Sequence, residues 1–134
     1  MKLKILLLLS LFIIASCEES TDPAECAEDI ACTEQFVMFT YSPKDNEDQA
    51  IILDGYYSQN MDNGNIYDDF QNTDFLDAGM YMVLTDQQRG DLQKKGTTIR
   101  FFGQKDGDVI IQQDFLIGHD CCHILLLEGP GVGN

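Results

Sequence analysis

The chain has 134 residues, 44% of them apolar, with 8 basic and 23 acidic side chains and a formal net charge of −15. A field of that sign repels phosphate and excludes nucleic acid as a partner. The length suits one domain with a genuine core, and five cysteines without a tryptophan narrow the chemistry further. At the N-terminus, "MKLKILLLLSLFIIAS" opens with Lys2 and Lys4 and is almost wholly apolar from Leu3 to Ala15. That run is shorter than the ~20 residues of a spanning helix. Its length and cationic flank fit an export signal over residues 1–16.

The signal ends in "IASC", where small residues lead into Cys17. This resembles the bacterial lipoprotein lipobox, and the resemblance implies that Cys17 receives lipid and becomes the mature N-terminus. The chain is then anchored to a membrane rather than crossing it. The next residues, "EESTD", resemble the surface-export signals of Bacteroidetes-type lipoproteins. The expected location is the cell envelope at the outer membrane, with surface display preferred over the periplasm. The 118 residues from Cys17 onward carry 6 basic and 23 acidic residues, a charge of −17. The membrane is therefore a partner only through the lipid.

Residues 17–30 are acidic and poor in apolar groups, and read as a tether; residues 31–129 form the domain, and 130–134 a loose tail. Within the domain, "QFVMFTY" (35–41) and "AIILDGYY" (50–57) are strand-like runs separated by the polar, proline-containing "SPKDNEDQ". "MYMVLT" (80–85) is a third. "DQQRGDLQKK" (86–95) is briefly helical and interrupted by Gly90. "TTIRFFG" (97–103) and "DVIIQQDFLI" (108–117) flank "QKDGD", whose Asp106-Gly107 pair predicts a hairpin. "CCHILLL" (121–127) is the last strand. Six or seven short strands without a sustained 3.6-residue period predict an all-β, antiparallel β-sandwich. Lack of tryptophan weakens a true immunoglobulin assignment, but not a sandwich.

The segments "ACTEQF", "AIILDGYY", "GTTIRFFGQKDGDVI" and "GHDCCHILLLEG" resemble a family of small, largely uncharacterised Bacteroidetes-type lipoproteins over roughly residues 31–129. The resemblance implies a transthyretin-like (prealbumin-like) or immunoglobulin-like sandwich of seven strands. It brings no established activity and no active site. Cys26 in the tether and the Asx-rich stretch 60–74 depart from the plainest version of the pattern.

With Cys17 taken by lipid, Cys26, Cys32, Cys121 and Cys122 remain, an even number that favours disulfides in an exported domain. Bonding Cys121 to Cys122 would make a strained vicinal ring. The preferred scheme joins Cys26 and Cys32 each to one member of the Cys121–Cys122 pair, with the assignment left open. Zinc is the competing reading, since His119, Cys121 and His123 would share one face of an extended strand. The C-x5-C spacing of Cys26 and Cys32 and the oxidising compartment count against it. A cysteine nucleophile beside His119 or His123 would need a reduced thiol. The preferred roles of the histidines are structural: His119 as a cap at a Gly-His-Asp turn, His123 as a partly exposed strand residue.

In "NMDNGNIYDDFQNTD", residues Asp62, Asn63, Asn65, Asp68 and Asp69 gather oxygen atoms of the kind Ca²⁺ takes. The EF-hand order is missing, and an Asn-Gly turn in a polar loop is preferred. No cofactor is expected. The composition and motifs favour a non-enzymatic interaction or accessory module with an unidentified protein or glycan partner. A glycan- or cation-binding surface using Tyr56, Tyr57, Tyr67 and Tyr81, and a small hydrolase using the His–Cys cluster, are the alternatives.

Overall fold

A computed structural model describes residues 26, 27, 29–70, 73, 74 and 76–131. The expected signal segment, Cys17 as the expected lipid site, the expected tether as far as residue 25 and the last three residues lie outside them. The described residues form seven strands: β1 Met38–Tyr41, β2 Gly55–Asn60, β3 Ile66–Tyr67, β4 Tyr81–Thr85, β5 Thr97–Lys105, β6 Asp108–His119 and β7 Ile124–Glu128. A single 3-10 helix, Asp86–Asp91, follows β4. All pairings are antiparallel. They make two sheets, β1 with β4, and a five-stranded sheet in the order β3-β2-β5-β6-β7.

Strand β5 organises the larger sheet. Its burial alternates strictly, with Thr97, Ile99, Phe101 and Gly103 inward and Thr98, Arg100, Phe102 and Gln104 outward, as a period of two requires. The outer face carries apolar residues because they pair across strands. Phe102 stacks on Tyr57 directly opposite, with centroids 4.7 Å apart. Arg100 forks onto Asp114 of β6, at 2.6 and 2.8 Å. Such cross-strand pairs fix register. The β5–β6 hairpin turns at Asp106 and Gly107, with φ of 52° and 87°. Two consecutive positive φ values match the twist of the flanking strands, which is why Asp-Gly marks this turn in sequence.

On the inner face, Ile99, Phe101, Phe115, Ile117 and Ile124 pack with Tyr81, Val83 and Leu84 of β4. Strand β4 is buried along its whole length, consistent with the unbroken apolar run that it presents in sequence. Tyr41 of β1 meets Phe101 and Phe115 edge-on at 5.4 and 5.5 Å. Phe101 is wholly buried at the centre of this cluster, and its burial contributes about 2–3 kcal/mol.

The run at 50–57 behaves differently from its sequence reading. Ala50–Asp54 is a loop, and β2 begins only at Gly55 and continues through polar Ser58, Gln59 and Asn60. The loop can be apolar because its backbone finds partners off the sheet. Ile51 N–H donates to the Pro43 carbonyl at 2.9 Å, and Leu53 N–H donates to the Tyr81 hydroxyl at 2.7 Å. That hydroxyl in turn donates to the Ile51 carbonyl at 3.1 Å. Tyr81→Phe strands the Leu53 N–H in a buried site, so a loss of about 2 kcal/mol is expected in urea unfolding. A change below about 0.5 kcal/mol would show that this bridge is dispensable.

The Asx-rich stretch yields β3 and a tight turn. Asn60 Oδ1 accepts from the N–H groups of Asp62 and Asn63, Asn63 Oδ1 accepts from Asn65 N–H, and Gly64 sits at φ 81°. These side chains spend acceptors on their own backbone, the usual behaviour of Asx residues in turns.

Candidate functional site

The cluster at the end of β6 is built by a turn, not by the strand expected over 121–127. Asp120 Oδ1 accepts from the N–H groups of Cys122 and His123, at 2.9 and 2.7 Å, and Cys121 adopts φ 80°. A side-chain acceptor competing for two consecutive N–H groups prevents the sheet ladder from continuing. Strand β7 therefore starts at Ile124. His119, Cys121 and His123 do not share a strand face, which corrects the arrangement on which the three-ligand zinc reading rested. Asp120 is held ionised below the usual carboxylate range, chiefly by those N–H groups.

Two disulfides lock the turn to the start of the domain. Cys26 is bonded to Cys121 and Cys32 to Cys122, each with a Cα separation close to 5.5 Å (5.6 and 5.2 Å). Each upstream cysteine thus takes one of the adjacent pair. With all four sulfurs oxidised, neither Cys121 nor Cys122 offers the thiolate that a cysteine nucleophile requires. Cys26, His119 and Cys121 hold the one group of three metal-ligating residue types within 4.8 Å among the described residues. Its two sulfurs are bonded to each other, which leaves the imidazole as its only free donor.

The two histidines serve different ends of the turn. His119 closes β6, and its Nδ1 accepts from Cys121 N–H at 3.0 Å, the capping role expected, at a strand exit. Burial pushes its pKa down, and the charges of Arg89 and Lys94 act in the same direction. Arg89 also donates from Nη1 to the Cys122 carbonyl at 2.8 Å, pinning the turn from the 3-10 helix.

His123 lies in the turn rather than on the strand expected for it, and its side chain is partly exposed, at 15%. Its Nδ1 is 2.8 Å from Asp86 Oδ2 and its Nε2 is 2.9 Å from Thr33 Oγ1. Asp86 is the first residue of the 3-10 helix, fixed by the Thr85–Gln88 capping box. Its carboxylate also accepts from Val37 N–H on Oδ2 and from Ile124 N–H on Oδ1, both at 2.8 Å. Burial alone would raise the Asp86 pKa, but the hydrogen bonds from Val37, His123 and Ile124 outweigh it and hold the group below its ordinary value. An ionised Asp86 is acceptor-only, so Nδ1 carries the proton and donates to it. In the neutral imidazole, Nε2 then accepts from the Thr33 hydroxyl.

Sequence reasoning passed over Thr33 and Asp86. A signal for Asp86 was present, since "TDQQ" places threonine three residues before glutamine as a capping box does. Thr33 follows Cys32 and His123 follows Cys122, so the second bridge sets those neighbours side by side. The tyrosines do not form one platform. Tyr56 and Tyr81 turn inward against Phe101, Tyr67 donates to Asp91 at 3.0 Å, and Tyr57 alone stacks on the outer face.

No protein-family model matches the chain, and no curated protein or solved structure matches it either.

Proposed function

We propose that the chain is a lipid-anchored accessory or interaction module of the bacterial cell envelope, held at the outer membrane through Cys17. The observation that carries this reading is the pair of bridges from Cys26 and Cys32 to the Cys121–Cys122 turn. Disulfides of this kind persist in oxidising, extracytoplasmic compartments. They also begin within ten residues of the cysteine that ends the apolar leader, where a tether must pass its load to a folded body. Two facing sheets with a shared core support an open form of the antiparallel sandwich, of the transthyretin or immunoglobulin type that the family resemblance implies.

A glycan as ligand is favoured by the outer face of the larger sheet. The Tyr57–Phe102 stack lies one row from the Arg100–Asp114 pair. Beyond that pair, a groove of about 370 Å³ is lined by Thr98, Asp114, Leu116 and Glu128. Aromatic faces beside hydrogen-bonding side chains are the chemistry that neutral sugars need.

The anchor is tested by growing cells on an alkyne-tagged palmitate and comparing wild type with Cys17→Ala. Label and membrane association in the wild type, with loss of both in the variant, are the expected results. An unlabelled wild type, or a variant that sediments equally with membranes, would overturn the reading.

A further inference from the structure

The turn that the two bridges hold also assembles a hydroxyl, an imidazole and a carboxylate in line. We infer that Thr33, His123 and Asp86 form a nucleophilic triad in which the Thr33 hydroxyl accepts an acyl group from a small carboxylic ester. This goes beyond anchoring and display, giving the module a reaction of its own.

The geometry is that of a nucleophile, its base and an orienting acid. Oγ1 of Thr33 lies 2.9 Å from Nε2 of His123, and Nδ1 of the same ring lies 2.8 Å from Oδ2 of Asp86. Accessibility grades in the required order. Asp86 is 12% and His123 15% exposed at the side chain, while Thr33 is exposed. A half-buried carboxylate thus orients a half-buried ring toward a hydroxyl that solvent and substrate can reach. Triads are recognised by such roles rather than by chain order. Asp86 is fixed independently by the Val37 and Ile124 N–H groups, so it does not depend on the histidine for its position. Thr33 is fixed by the Cys32–Cys122 bridge, which joins the two residues preceding Thr33 and His123.

The chemistry closes without any further component. Thr33 Oγ1 attacks the acyl carbon as its proton passes to His123 Nε2. The ester C–O bond then breaks, and the departing alkoxide takes that proton to leave as an alcohol. Water loses a proton to the same Nε2 and attacks the acyl-threonine, which releases the carboxylic acid and returns the proton to Oγ1. Asp86 acts only through the ring and remains ionised throughout, so it is a positioning residue. Phe36, three residues beyond Thr33 and 53% exposed, supplies apolar surface on the same segment. The open setting suits short acyl groups.

The full chain, expressed with its leader and purified in detergent, is treated with a fluorophosphonate, and the adduct is located by mass spectrometry. Hydrolysis of p-nitrophenyl acetate is followed in parallel between pH 4 and 9. An adduct on Thr33 is expected in the wild type and in Thr33→Ser, with none on residue 33 in Thr33→Val. His123→Gln is expected to slow both labelling and hydrolysis about a hundredfold or more. The pH dependence of the wild-type rate should change in His123→Gln. Thr33 is exposed, so its variants keep the fold, which the unchanged oxidation of all four cysteines reports. Absence of a residue-33 adduct in both wild type and Thr33→Ser would overturn the proposal, as would labelling undiminished in His123→Gln. Neither result bears on the palmitate experiment, so this inference and the anchored-module reading fail separately.

Discussion

Removing both disulfides together is expected to cost about 7 kcal/mol, whereas removing either one alone costs about 2–3 kcal/mol. The asymmetry follows from where the bridges sit. With one bridge in place, its partner no longer closes a long loop. It closes only the small ring made by residues 26–32 and 121–122, roughly nine residues, for which the chain-entropy relation gives about 2.6 kcal/mol. The first bridge to form closes the full separation of 90 or 95 residues, worth about 4.7 kcal/mol by the same relation. Paired substitutions, Cys26→Ser with Cys121→Ser and Cys32→Ser with Cys122→Ser, avoid leaving free thiols to exchange. Urea unfolding of the wild type, each paired variant and the fourfold variant measures all three differences. Since a domain of this size has a total stability of about 5–15 kcal/mol, the fourfold variant loses about half of it or more. Equal and additive losses of about 4–5 kcal/mol from each pair would contradict the nested-ring account.

Asp86→Asn is expected to destabilise the domain by about 3 kcal/mol at pH 7. Three donors converge on the carboxylate, and they come from three places: the approach to β1, the turn, and the first residue of β7. An amide has one oxygen for two backbone N–H groups that use different oxygens, so one of them faces an N–H₂ group. The effect also depends on pH in a defined sense. The folded-state pKa of Asp86 lies below its ordinary value of 3.8. Its contribution is therefore complete above that value and is lost as pH falls through it toward the native pKa. The gap between wild type and variant should narrow below about pH 4. Asp114 and Asp120 are also held low, by the Arg100 guanidinium and by the turn N–H groups respectively. Both proteins consequently lose stability in acid, and only the difference between them reports on Asp86. A gap that stays constant from pH 7 to pH 2 would rule out the carboxylate as its source.

Much of the sheet structure could be read because its signals are local. The Asp-Gly pair specifies the β5–β6 turn through two positive φ angles, and "MYMVLT" marks β4 by unbroken apolarity. The apolar segment 50–54 misled because periodicity reports burial, and Leu53 is buried in a loop whose N–H is satisfied by a tyrosine 28 residues away. The turn at Cys121–Cys122 was hidden for a related reason. Its cause is a single aspartate oxygen capturing two N–H groups, which outweighs the β-forming run that follows. Thr33 and Asp86 meet His123 only after chain separations of 90 and 37 residues are closed. No local pattern encodes that meeting. The preferred scheme joins Cys32 to one member of the Cys121–Cys122 doublet, and it is the bond to Cys122 in particular that sets residues 33 and 123 side by side.

The placement of the Cys26–Cys121 bond has a mechanical consequence. Tension entering from the N-terminal side reaches Cys121 through a covalent bond before it reaches any strand. Between Cys26 and Gly131, the last described residue, the longest path that can be drawn taut is therefore the ten residues beyond Cys121, about 35 Å. Severing the bridges lengthens that path to 105 residues, roughly 360 Å. Strands β1 to β6 lie wholly inside the shortcut. The covalent path between those two ends bypasses them while the bond is intact and runs instead through β7, whose Ile124 anchors it in the core.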